Sequence, residues 1–306
     1  MNRELIQLSL LVATQTSIYR TLSDETVKKK AEEWTVYLSF TLFLGHLLLI
    51  FLRNTFPDIS FLQPLNSNYL SALYTPFSII LVYEVYLLIL ALPLSFTNSI
   101  QKQYEIISLI IIRRVFKDIS MFDDFDQIAE QTEVILQLAT DLGSGLLLFL
   151  MVGIYHHVSL QRKSIQRLSD DEIRRFVYIK ELVALTLLFI FSVLTLFSIY
   201  QFGTEVYRLL FFGESFELDL NVIFFVEFYT VMIFSDVFIF ITSFMFSQTY
   251  ARLLRNAGFV SSTVILRISL SAEPELSGWI AAAALLTGII SQAIYVYFSR
   301  LEKRGE

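Results

Sequence analysis

Six long apolar runs decide which folds are open to this chain. They cover residues 34–54, 70–96, 136–157, 177–202, 221–247 and 279–299. Each is near or above the roughly 20 residues a helix needs to cross a hydrocarbon core about 30 Å thick. Lipid offers backbone N–H and C=O groups no partners, so runs of this kind must be helical. The composition agrees: 55% of the 306 residues are hydrophobic, with 29 Phe and 15 Tyr, more apolar surface than a soluble domain of this length can bury. The N-terminal stretch carries Glu4 and lacks a persuasive cleavage site, so it reads as an interfacial helix and not as a signal peptide. Cysteine is absent, which excludes disulfides, thiolate metal sites and a Cys nucleophile.

Two shorter stretches, 103–117 and 257–270, fall at matching places in the series, giving the order long, long, short, long, twice over. Local sequence follows the same duplication. "TLSDETVKK" from Thr21 and "RLSDDEIRR" from Arg167 each precede the first long run of a half. "YEVY" around Glu84 matches "SDVF" around Asp236, "SLIIIR" (Ser108–Arg113) matches "STVILR" (Ser262–Arg267), and "IYHHVS" from Ile154 matches "IYVYFS" from Ile294. Several weak matches in one order point to an internal repeat. The expected fold is an all-α polytopic membrane helical bundle, six long helices plus two short membrane segments arranged as two tandem four-segment repeats. Its parts are an interfacial segment 1–33, repeat 1 over 34–157, a linker 158–176, repeat 2 over 177–300 and a tail 301–306.

Length alone makes the short segments re-entrant or interfacial, since about 14 helical residues reach only about 21 Å. Charge argues otherwise, because Lys and Arg gather on the cytoplasmic side of span ends. With six crossings the bases divide almost evenly between the two sides. With eight, about 17 lie inside, including the run Arg162–Lys180, and only Arg53, Lys117 and Arg208 lie outside. Eight crossings also make the halves parallel, with both termini cytoplasmic and a plasma (inner) membrane as the expected location. Trp34 and Trp279 each open a long run, as interfacial anchors do.

Glu84 and Asp236 stand in the second long run of each half. An acid at the centre of a spanning helix costs about 2.5–3.5 kcal/mol on insertion scales, so such residues face a partner, a cavity or an ion path. Two acids at equivalent positions read as a proton- or cation-binding pair near a pseudo-two-fold axis, tuned by Arg113 and Arg267. The alternative is a pair of acid–arginine bridges that only lock helices together. Those arginines lie toward the outer interface, so contact requires a long side chain reaching inward; snorkelling to the outer headgroups is the simpler fate, for Arg114 above all. His46, the one histidine in mid-span, is a candidate proton relay or an ordinary interhelical hydrogen-bonding group. The outer acids Asp123, Asp124 and Asp126 form a candidate vestibule that would concentrate cations. They lack the spacing and central Gly of an EF-hand loop, and no metal is assigned.

The function this supports is ion transport: a cation or proton channel, or a coupled secondary transporter, whose partners are the lipid bilayer and a small cation or proton. A non-transport scaffold or assembly subunit is the alternative, and it predicts polar residues on the lipid-facing surface. No catalytic constellation argues for an intramembrane enzyme, and no cofactor or nucleic acid is expected; a homo-oligomer stays open.

Overall fold

The computed structural model describes residues 15–57, 59, 62–63, 65–120, 132–161, 170–212, 220–246 and 250–302. Helical residues 15–23 lead into α1 (Glu25–Thr55). A single 3₁₀ turn, Tyr69–Leu73, precedes α2 (Tyr74–Leu90), followed by α3 (Phe96–Ser120) and α4 (Thr132–Leu160). The second half holds α5 (Asp170–Phe212), α6 (Leu220–Phe244), α7 (Tyr250–Ser271) and α8 (Pro274–Glu302). Six of these elements are long and apolar enough to cross a bilayer: α1, Tyr69–Leu90, α4, and the apolar stretches of α5, α6 and α8. The chain is therefore a multi-pass integral membrane protein.

Local sequence sets the helix ends. Asp24, the last residue of the first Leu-Ser-Asp motif, is the N-cap of α1: its carboxylate accepts from the Thr26 backbone N–H at 2.8 Å and from the Thr26 hydroxyl at 2.7 Å. That backbone hydrogen bond, then the hydroxyl one, holds the Asp24 carboxyl below its usual range. The second Leu-Ser-Asp ends at Asp170, where α5 begins. Pro76 lies in the first turn of α2, where its missing N–H costs nothing, and Pro93 lies beyond the end of that helix.

One expectation is corrected in length. The stretches 103–117 and 257–270 lie within helices of 25 and 22 residues, about 37 and 33 Å long. Thr97, Ser99 and Asn256, which precede the stretches, and Gln103, which opens the first, depress hydropathy and hide the start of each helix from a reading tuned to lipid. All four are buried against protein. α3 runs antiparallel along α4 over nearly its full length, with Thr97 opposite Tyr155 at one end and Asp118 opposite Gln137 at the other. α7 runs along α8 in the same way, from Arg255 over the Tyr295 ring to Ser269 at Ser277.

Within each half, consecutive helices pack on one another; across the halves α3 meets α7, α4 meets α8 and α2 meets α5. Two contacts fix the direction of the α3–α7 pair. The hydroxyls of Tyr104 and Ser262 are 2.5 Å apart, and one end further on Arg114 Nη2 donates to the Leu270 carbonyl at 3.2 Å. Residue numbers rise together on both helices, so the two are parallel. In α4 and α8 Ser144 lies against Gly278, and Gln161 accepts from Arg300 at 2.7 Å, again in parallel order. Gly288 permits the close approach at the centre, since a Cβ there would collide with the Tyr104 ring. α1 is peripheral: 11% of its apolar window is buried inside the protein against 44% for α8, and Trp34 and Trp279 stand exposed.

Candidate functional site

The second and third helices of each half are joined by an acid–arginine pair. In the second half Arg267 Nε donates to Asp236 Oδ2 at 2.8 Å, and Nη2 lies 2.7 Å from the same oxygen. Nη2 also donates to Gln103 Oε1 at 3.0 Å, and Nη1 points to the Met232 sulfur at 3.1 Å. Gln103 in turn donates from Nε2 to Ser99 Oγ at 3.1 Å. The guanidinium is wholly buried and Asp236 nearly so, with exposures of 0% and 5%. A charge this deep is tolerated because its partner is at contact distance and its other donors are occupied.

In the first half Glu84 Oε2 pairs with Arg113 Nη2. Arg113 Nε donates to the carbonyl of Leu109 one turn earlier on its own helix, at 3.2 Å. Side-chain exposure is 8% for Glu84 and 14% for Arg113. The reach can be measured from neighbouring contacts. Phe77 stacks on Phe116 at 4.4 Å, and Lys117 lies over the Tyr74 ring, so these residues share a level. From Phe77 to Glu84 α2 descends about 10 Å, whereas from Phe116 back to Arg113 α3 descends about 4.5 Å. Arg113 therefore extends inward by about 6 Å, the length of its side chain, to meet the acid.

The structure thus brings Glu84 together with Arg113 and Asp236 together with Arg267. Each acid faces an arginine and not the other acid: across the halves α2 meets α5, α3 meets α7 and α4 meets α8, while the carboxylates on α2 and α6 pair with Arg113 and Arg267. His46 Nδ1 is 2.7 Å from Thr75 Oγ1, a hydrogen bond from α1 to the start of α2. Asp123, Asp124 and Asp126 lie outside the described residues. Among the described residues no group of three or more His, Cys, Asp or Glu side chains is placed to hold a metal ion.

Other groups around the pairs escaped the sequence reading. Gln103 extends the second pair into the first half, and nothing in its position on a polar helix flank signals that. Tyr83 and Tyr86, the neighbours of Glu84, point away from it: their hydroxyls donate to the carbonyls of Lys28 and Leu22, at 3.3 and 2.6 Å, and tie the N-terminal helices to α2. Lys180 counted as a cytoplasmic base but is buried, donating to the Leu94 carbonyl and sitting over the rings of Phe96 and Phe176 at 5.1 and 5.4 Å. It fastens α5 to the turn between α2 and α3.

Comparison with protein-family models, with curated proteins and with solved structures gives no match to this chain.

Proposed function

We propose that the protein moves a small cation or proton across the membrane, along a path controlled by its two acid–arginine pairs. The halves are tandem copies with eight crossings in all. The parallel register of α3 with α7 and of α4 with α8 supports this, as do the lengths of α3 and α7 alongside their spanning neighbours. The excess of bases on one side supports cytoplasmic termini. In the arrangement seen here each carboxylate is neutralised by its guanidinium, so neither is a standing cation site. A bridge between two helices in low dielectric is a two-state element: closed with the pair formed, or opened when a proton or cation replaces the guanidinium at the carboxylate.

The observation that carries the reading is the repetition. Two intramembrane acids, at equivalent positions and on the same helix of each half, each meet an arginine of the following helix. Their burial inside the chain, away from its lipid-facing surface, opposes an assembly subunit that offers polar groups to a partner. A second reading, two helix locks with no transport role, is favoured by one feature: Arg267 has every polar contact it needs and no exposure.

Proteoliposome flux separates the two. Proton and monovalent-cation flux is compared between wild type and Glu84→Gln and Asp236→Asn, each checked for folding. Transport predicts flux in the wild type and a lost or pH-shifted flux in the variants. Flux that is absent throughout, or identical in all three, removes the transport reading and leaves the locks.

A further inference from the structure

The geometry points to a proton-binding site outside the acid–arginine pairs: we infer that Asp118, in the last turn of α3, and Asp141, on α4, share one proton. Both residues are 1% exposed. They are neighbours across the α3–α4 contact: Gln137, which binds Asp118, stands one turn before Asp141 on the same face of α4. Gln137 Nε2 donates to Asp118 Oδ1 at 2.7 Å, but Oδ2 of Asp118 and Oδ2 of Asp141 are both buried with no donor among the described residues. A carboxylate brings acceptors only, so two ionised groups here would face each other with like charge and empty acceptor positions. A single proton between them supplies the missing donor and removes one charge.

The surroundings favour a proton over a metal ion. Arg114 and Lys117 on α3 lie close enough to act on both carboxyls; one shared proton leaves a single negative charge for them to balance, whereas a divalent ion would add two positive charges beside the two already there. Both bases also make other contacts: Arg114 donates to the Leu270 carbonyl on α7, and Lys117 lies 5.9 Å from the Tyr74 ring centre at the start of α2. On α4 the Ser144 hydroxyl donates to the Asp141 carbonyl at 3.2 Å, and α8 brings Gly278, an uncharged residue, against Ser144. The pair is also peculiar to one half. In the register that aligns Arg113 with Arg267 and Ile154 with Ile294, Ala272 and Ala281 stand at the matching positions. A site absent from the second copy is not part of the duplicated scaffold. It joins the outer end of α3, the helix that carries Arg113, to α4, and it stands whether or not the transport reading does.

Infrared difference spectroscopy of the purified protein in lipid tests it. The wild type should show, at neutral pH, the carbonyl stretch of a protonated carboxylic acid that shifts in D₂O and on labelling aspartate with carboxyl ¹³C. The band should titrate away in alkali and be missing in both Asp118→Asn and Asp141→Asn. Thermal stability should fall as pH rises in the wild type and lose that dependence in Asp141→Asn, whose amide replaces the proton as donor. Three results overturn the site: no aspartate-derived band in the wild type, a band that survives both substitutions, or stability that follows sodium concentration and ignores pH. The isotope arm stands on wild-type protein alone, so a variant that fails to fold does not spare the inference.

Discussion

The two acid–arginine pairs occupy equivalent places, yet they are held differently. Arg267 is sealed: two of its nitrogens bind Asp236, one of those also binds Gln103 from the other half, and the third meets Met232. Arg113 reaches Glu84 from the outer side, keeps 14% of its side chain exposed, and spends Nε on its own backbone. The same kinds of charge stand on the second and third helices of each half; the packing around them decides how firmly each pair is closed. The second pair also clamps the halves together, through Gln103, while the first joins only α2 to α3. Opening should therefore begin at Glu84–Arg113.

Four substitutions can break or sharpen that contrast. Arg267→Leu should have the largest effect, because it strands a buried carboxylate and frees Gln103; a loss of about 3–5 kcal/mol is expected, read from denaturation in lipid or mild detergent. Arg113→Leu should cost distinctly less, since Glu84 lies nearer water; equal losses for the two would erase the difference between the pairs. Gln103→Leu should cost about 1–3 kcal/mol, the penalty for removing one partner of a buried hydrogen bond. It should also loosen the contact between α3 and α7, measured as faster amide exchange in both helices. The smallest effect belongs to Asp24→Ala, whose carboxylate binds Thr26 and touches neither pair. Because the Asp24 carboxyl is held below its usual range in the folded chain, its capping contribution is full at neutral pH and fades as pH falls through that lowered range. Amide exchange of the first turn of α1 should therefore rise on acidification in the wild type and be fast at every pH in the variant.

Much of the fold could be read from residue patterns, because lipid imposes long apolar runs on whatever faces it. α1 and α5, whose surfaces are largely exposed apolar residues, are the plainest cases. α3 and α7 were legible only in part. Polar residues at their starts, Thr97, Ser99 and Asn256, are covered by protein, a condition that hydropathy along the chain does not register. Charge counting fails for the same reason at Lys180 and Asp118. Lys180 counts as a hydrated base and Asp118 sits at a polar helix end, but a single sequence does not say that another helix will cover either one. The pairing of acid and arginine within each half was foreseeable from type and spacing, but the depth of Arg113 favoured snorkelling outward, and its inward reach to Glu84 is a finding of the structure. The bond from Arg267 to Gln103 was not foreseeable either, since it depends on how the two halves dock.

All of this rests on α3 crossing the bilayer, which makes the halves parallel and sets the two pairs at a common depth. The chain has no cysteine, so single Cys substitutions can be labelled without background. Asn98, exposed at the start of α3, and Asp124, after its end, bracket the helix. With a membrane-impermeant thiol reagent on sealed, oriented vesicles, Asn98→Cys and Asp124→Cys should be labelled from opposite sides, Asn98→Cys from the cytoplasmic one. Labelling of both from the same side would contradict the parallel halves and the shared depth of the two pairs.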